Sequence, residues 1–128
     1  MNKIKILVAD NEPVVLEYMR FVLEHWGYQV ILANDGKEAI EKALTEIPDI
    51  ALLDLHMPVM DGIEACAKLK EDPKTSDVIV YFVSGSQAKD LDEDITRYGA
   101  KGLIPKPFNF ETLQNILKQS LKEKNKRP

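Results

Sequence analysis

Four apolar runs, far apart in the chain, each lead straight into a residue that carries chemistry. Ile6-Leu7-Val8-Ala9 ends in Asp10, Ile50-Ala51-Leu52-Leu53 in Asp54, Val78-Ile79-Val80-Tyr81-Phe82-Val83 in Ser84-Gly85, and Ile104-Pro105 in Lys106-Pro107. Short runs without polar alternation read as strands buried on both faces, the pattern of a parallel sheet covered by helices. In such a sheet the carboxyl ends of the strands share one edge, and ligands bind in the crevice beyond it. The sequence therefore sends two carboxylates, a hydroxyl and an ammonium toward one pocket.

Periodicity along the whole chain agrees with an α/β fold. Strands are expected near 4–9, 28–33, 49–53, 78–83 and 101–105, and helices near 12–26, 36–46, 62–70, 87–98 and 110–123, giving five βα units with connections short enough for right-handed crossovers. Asp35 with Glu38 and Asp61 with Glu64 have capping-box spacing, and Asn109 is placed to start the last helix. Gly27 and Gly99 fall where helices should stop in a left-handed turn. The expected domain is 1–121, and 122–128 (Lys122-Glu123-Lys124-Asn125-Lys126-Arg127-Pro128) reads as a polar tail or the stub of a linker.

Composition narrows the function classes. A chain of 128 residues, 45% hydrophobic and 30% charged, is one ordinary globular domain, with no apolar stretch near the roughly 20 residues a membrane span requires. The start, Met1-Asn2-Lys3-Ile4, lacks the apolar core of a signal peptide, so a cytoplasmic location is expected. The single cysteine, Cys66, fits a reducing compartment. A net charge of −4 argues against direct binding of nucleic acid, which needs a concentrated basic face.

The stretch Leu52-Leu53-Asp54-Leu55-His56-Met57-Pro58-Val59-Met60-Asp61-Gly62, with Asp10 before it and Ser84-Gly85 and Lys106-Pro107-Phe108 after it, resembles the receiver domain of two-component response regulators. The resemblance spans nearly the whole chain and rests on the order of the four pieces, each weak alone. It implies a doubly wound, flavodoxin-like five-stranded parallel sheet in the order 2-1-3-4-5. It makes Asp54 the phosphoacceptor, Ser84 the hydroxyl that follows the phosphoryl group and Lys106 its cationic partner. Mg2+ would be held by Asp10, Asn11, Asp54 and the backbone carbonyl of His56. The implied partners are a sensor histidine kinase or histidine phosphotransfer protein, and a downstream effector reached through the face of the fourth helix, fifth strand and fifth helix. A carboxylate that attacks phosphorus meets an incoming dianion, so the repulsion has to be cancelled by a metal ion and a fixed cation. Magnesium suits the task because it takes oxygen ligands and needs only one or two protein carboxylates.

Two positions depart from the family pattern. The family usually has two consecutive acids after the first strand, and here the second is Asn11, whose amide oxygen ligates a metal without contributing charge. Asn11 also reads as an N-cap before Pro13, and Glu12 as a first-turn acid favoured by the helix dipole. The second departure is Leu103, where the family commonly carries Tyr or Phe that turns inward on activation.

The remaining candidates read as structure. Cys66 falls on the apolar side of its helix, His25 favours a helix end, and Trp26, Tyr28 and Phe21 read as core or packing aromatics. The His56 side chain is expected to face solvent beside the pocket. The leading expectation is a phosphoacceptor that turns over no external substrate; the alternative is a receiver-like interaction module independent of phosphorylation. A flavodoxin-like small-molecule binder or aspartate-nucleophile phosphatase ranks lower, because His56 stands where such phosphatases need a second acid and no G-x-G-x-x-G loop is present.

Overall fold

The computed structural model describes residues 3–85, 95, 97–107 and 109–125. Its elements run β1 (Lys5–Ala9), α1 (Pro13–His25), β2 (Gln29–Ala33), α2 (Gly36–Glu46), β3 (Ile50–Asp54), α3 (Gly62–Glu71), β4 (Ile79–Ser84), β5 (Gly102–Pro105) and a C-terminal helix (Phe110–Asn125). All strand pairs are parallel, and the sheet order is β2-β1-β3-β4-β5, as expected. The helix expected over 87–98 lies outside the described residues except at its end, where Ile95 and Arg97 are helical.

Alternation along each strand divides the core into two layers. Leu7, Ala9, Ala51, Leu53, Val80 and Phe82 pack with Ala39, Ala43, Ala65 and Leu69 of α2 and α3. Ile6, Val8, Ile50, Leu52, Ile79 and Val83 pack with Leu16, Met19 and Leu23 of α1 and Leu113 and Leu117 of the C-terminal helix. Every residue of β3 is buried, as a central strand with helices on both faces requires.

The boundaries differ from expectation where it matters for the site. β3 and β4 each extend one residue to include Asp54 and Ser84, because the ladder continues: Asp54 pairs with Val83, and the N–H of Leu55 donates to the carbonyl of Val83 at 3.0 Å. The C-terminal helix persists to Asn125, two residues beyond the expected end. Caps behave as their chemistry dictates. Asp35 Oδ1 accepts from the Glu38 N–H at 2.8 Å, Asp61 Oδ1 from the Glu64 N–H at 2.8 Å, and Asn109 Oδ1 from the Thr112 N–H at 3.2 Å. Glu38 does reach back, but to the N–H of Asn34 rather than that of Asp35. Gly27 and Gly99 take φ values of 96° and 93°, the left-handed stops foreseen for them.

Cys66 is wholly buried and its thiol donates to the Tyr98 carbonyl at 3.2 Å; burial pushes its pKa up to about 11, so it is a packing residue and no nucleophile. Trp26 and Tyr28 pack against the core, whereas Phe21 does not. Phe21 is 72% exposed, which corrects its reading as a packing aromatic: it projects from the solvent side of α1, opposite Leu16, Met19 and Leu23.

Two glycines let α2 and α3 begin against the loop that follows β3. A Cβ at Gly62 would lie 2.4 Å from the Asp54 carbonyl oxygen, and one at Gly36 would lie 2.1 Å from the Met60 carbonyl oxygen. Both obstacles are backbone and cannot swing aside. Gly62→Ala is therefore expected to destabilise the fold by about 1–3 kcal/mol through overpacking, read as a lower urea midpoint with an unchanged slope; an unchanged midpoint would show that the close approach is dispensable.

Candidate functional site

The loops after β1 and β3 use the same local device. Asp10 Oδ1 accepts the N–H of Glu12 at 2.9 Å, and Asp54 Oδ1 accepts the N–H of His56 at 3.0 Å. Each carboxylate thereby fixes its own turn two residues on, a habit of Asp that competes with regular structure. The cap residue of α1 is Glu12, with Pro13 in the first turn, so the reading of Asn11 as the N-cap is corrected: the bond that secures this turn comes from Asp10.

The opposite oxygens converge on one lysine. Lys106 Nζ donates to Asp10 Oδ2 at 2.6 Å and to Asp54 Oδ2 at 3.0 Å. Lys106 leaves the end of β5 in register with β4, its N–H donating to the Ser84 carbonyl at 2.9 Å. Ser84 pairs with Pro105 and lies one residue past the Asp54–Val83 pair, which puts it on the same sheet edge. Asp10, Asp54 and Ser84 are all buried, at 2%, 7% and 2% exposure, whereas Asn11 and His56 are exposed at the rim.

Burial dominates the electrostatics. It raises the Asp10 pKa above the ordinary carboxylate value, against the lowering effects of the Lys106 hydrogen bond, the Glu12 N–H and the Lys106 charge; the Asp54 charge adds to the rise. Burial alone would lower the Lys106 pKa, but hydrogen bonds and charge from Asp10 and Asp54 outweigh it and raise the pKa instead. A lysine held by two carboxylates stays charged, and the three groups together carry one negative charge.

The donor set fits a small, hard cation. Two carboxylates, the Asn11 amide oxygen and the His56 carbonyl are all oxygen donors, and a carboxylate oxygen has lone pairs beyond those given to Lys106 and the backbone. The set is short of charge, however. Among the described residues no group of three His, Cys, Asp or Glu is placed to hold a metal ion, in keeping with Asn11 at the position of a second acid.

Sequence reasoning missed the surface beside this edge. Val14, Tyr18 and Phe21 of α1 are 80%, 54% and 72% exposed, spaced at i, i+4 and i+7. Val14 and Tyr18, with Val15, Met19, Pro107, Phe110 and the stem of Lys106, line a groove of about 400 Å³. The signal was present: α1 carries two apolar stripes, of which Leu16, Met19 and Leu23 can satisfy the core alone.

Comparison with known proteins gives a consistent answer. A sequence model of the response regulator receiver domain matches residues 6–118. The alkaline phosphatase synthesis transcriptional regulatory protein PhoP of Bacillus subtilis is 39% identical over 112 residues, covering 85% of this chain and 44% of PhoP. Protein PilH of Pseudomonas aeruginosa is 34% identical, covering 85% of this chain and 90% of PilH. The chain thus spans less than half the length of the first relative and most of the second. Among solved structures, a CheY-like receiver domain protein of Methanospirillum hungatei superposes with a TM-score of 0.90 at 27% identity, over 98% of both chains. The chemotaxis protein CheY4 of Vibrio cholerae gives a TM-score of 0.87 at 28% identity, over 93% of this chain and 99% of that one.

The raised pKa of Asp10 has a signed consequence. Above the folded-state pKa Asp10 is ionised both folded and unfolded, and burial of its charge costs stability in full. Below the ordinary carboxylate pKa it is protonated in both states, and the cost is gone. Asp10→Asn keeps the acceptor oxygen without the charge. It is expected to raise Tm by a few degrees at neutral pH, with the difference from wild type shrinking as pH falls through the interval between those two pKa values. A variant less stable at neutral pH would mean that the ion pair to Lys106 outweighs desolvation.

Proposed function

This chain belongs to the response regulator receiver domain family, and on that premise we propose that it accepts a phosphoryl group on Asp54 from a protein phosphohistidine, with Mg2+, and passes that state to an effector. One observation carries the reading: a half-buried lysine that touches both buried carboxylates at the carboxyl edge of a parallel sheet. In the step proposed, an oxygen of Asp54 bonds to phosphorus as the bond from phosphorus to the donor's imidazole nitrogen breaks, and the imidazole leaves with the electron pair. Lys106 stays charged throughout and is within reach of both the acceptor and the new phosphoryl oxygens. Ser84 offers a hydroxyl on the adjoining strand to an oxygen that exists only after transfer. A magnesium ion bound by Asp10, the Asn11 amide, Asp54 and the His56 carbonyl would supply the remaining positive charge.

A protein donor suits the surroundings better than a small molecule alone. The exposed stripe of Val14, Tyr18 and Phe21 begins beside the site and runs along α1 away from it, an extent that a helical face would cover. The chain takes part in its own phosphorylation and hydrolysis without turning over an external substrate, acts in the cytoplasm, and signals through the face shared by β5, the C-terminal helix and the segment before β5. Among the described residues no helix is long and apolar enough to cross a membrane.

The alternative, an interaction module independent of phosphorylation, draws on Asn11, whose neutral amide weakens the metal site. Acetyl phosphate with magnesium separates the two. Wild type is expected to gain one phosphoryl mass and Asp54→Asn none, with Asn11→Asp reaching half-labelling at roughly tenfold lower magnesium, the effect of about 1.4 kcal/mol. No labelling of wild type at any magnesium level would leave the interaction module as the reading. The double variant Tyr18→Ala, Phe21→Ala is expected to label normally with acetyl phosphate but to accept from a protein phosphodonor at least tenfold more slowly, as removal of exposed apolar anchors would cause.

A further inference from the structure

The loop from Leu55 to Asp61 contains a backbone conformation that its sequence does not favour. Val59 has φ of 70°, and the N–H of Met60 donates to the Pro58 carbonyl at 2.7 Å across it. A three-residue turn closed this way with a positive central φ is rare and strained, and a β-branched residue is the least suited to it. The side chain gains no burial in return, being 76% exposed. Backbone and side chain at position 59 both work against fold stability.

The surroundings explain how the turn persists. The Leu55 N–H is tied to Val83 at 3.0 Å, and the Gly62 N–H closes the loop onto the Leu55 carbonyl at 3.2 Å. The Gly36 N–H holds the Met60 carbonyl at 3.0 Å, while Leu55 and Met57 are sunk into the core at 4% and 9% exposure. Between these anchors His56, Pro58 and Val59 have to reverse direction within a few residues. With both ends fixed, the other positive-φ conformations that would reshape the loop are open to glycine and closed to valine.

We propose that the strained turn at Val59 is a positioning element that confines the loop so that the His56 carbonyl is held for the divalent ion, at the expense of fold stability. The inference rests on the metal site of the proposed function and deepens it. Strain at functional sites is sustained when surrounding structure over-determines the backbone, and the three hydrogen bonds and two buried side chains named above do so here. Val59 touches neither ion nor phosphoryl group; it acts through the loop.

The test is Val59→Gly in the full chain, with Val59→Ile as the conservative control. Glycine relieves the strain and frees the loop, so two readouts should move in opposite directions. Without metal, Tm is expected to rise by a few degrees, while amide hydrogen exchange over residues 56–60 becomes several-fold faster. Magnesium affinity, measured by titration calorimetry, is expected to fall several-fold. Val59→Ile should match wild type in all three. A residue that merely stabilises the fold would lower Tm when replaced, and that result overturns the proposal. A glycine variant that binds magnesium as tightly as wild type also overturns it, leaving the proposed function intact. Wild type that binds no magnesium overturns the metal site itself, and the positioning role with it.

Discussion

A single ammonium shared by two buried carboxylates organises the functional edge. Taking either carboxylate out of water is costly, and Lys106 offsets part of that cost, reaching Asp10 at 2.6 Å and Asp54 at 3.0 Å. The three groups come from the ends of β1, β3 and β5, so the arrangement exists only if the strands lie in the observed order, with β1 beside β3 and β4 between β3 and β5. Topology and site chemistry are in this sense one constraint. A sheet wound in another order would leave two unpaired acids in a dry interior, where each would take up a proton or open the fold.

The loops show how the backbone serves that pairing. Each Asp uses one oxygen to secure its own turn and offers the other to Lys106, so the orientation of the reactive oxygens is set by main-chain hydrogen bonds rather than by packing. Gly62 then lets α3 start directly against the Asp54 carbonyl, and Gly36 does the same for α2 against Met60. The end of β3 and the loop after it are thus held by two helices on one face of the sheet, so the Asp54 carboxylate has little freedom left to lose.

How much of this could be read from the sequence depended on the range of the interactions. The strands, the caps at Asp35, Asp61 and Asn109, and the stops at Gly27 and Gly99 follow from local pattern, the strand order follows from the family resemblance, and the structure repeats them all. The ends of β3 and β4 lay one residue further on than expected because ladder pairing between Asp54 and Val83, a contact across the sheet, decides them. Asn11 reads as a cap by residue type, but the helix starts one residue later with Glu12 as its cap residue, and Asp10 secures the turn through the N–H of Glu12. Phe21 was misread because an aromatic on an amphipathic helix is assigned to the core by default; only the count of apolar residues on α1, more than one face can bury, shows that some face solvent. The turn at Val59 was beyond local reasoning altogether, since nothing in Pro58-Val59-Met60 prefers a positive φ and the cause lies in anchors contributed by β4 and α2.

In the proposed function the same geometry would link metal, lysine and phosphoryl group. The oxygens that Lys106 holds are Oδ2 of both acids, while both Oδ1 atoms are engaged by backbone amides. A divalent ion at this edge has to share those carboxylates with a permanently charged lysine, and two cations on one pair of acids repel. A family site with a second acid after the first strand has a further charge to divide between them; this one, with Asn11, does not. Cation binding here should therefore loosen the grip of Asp10 on Lys106 and turn the ammonium toward Asp54. A dianionic phosphoryl group, transferred as proposed, would in turn restore the charge that the site lacks. On the proposed function, lysine and metal would compete until a phosphoryl group arrived and would then cooperate, so that occupancy by phosphate and by metal would each strengthen the other by the same factor.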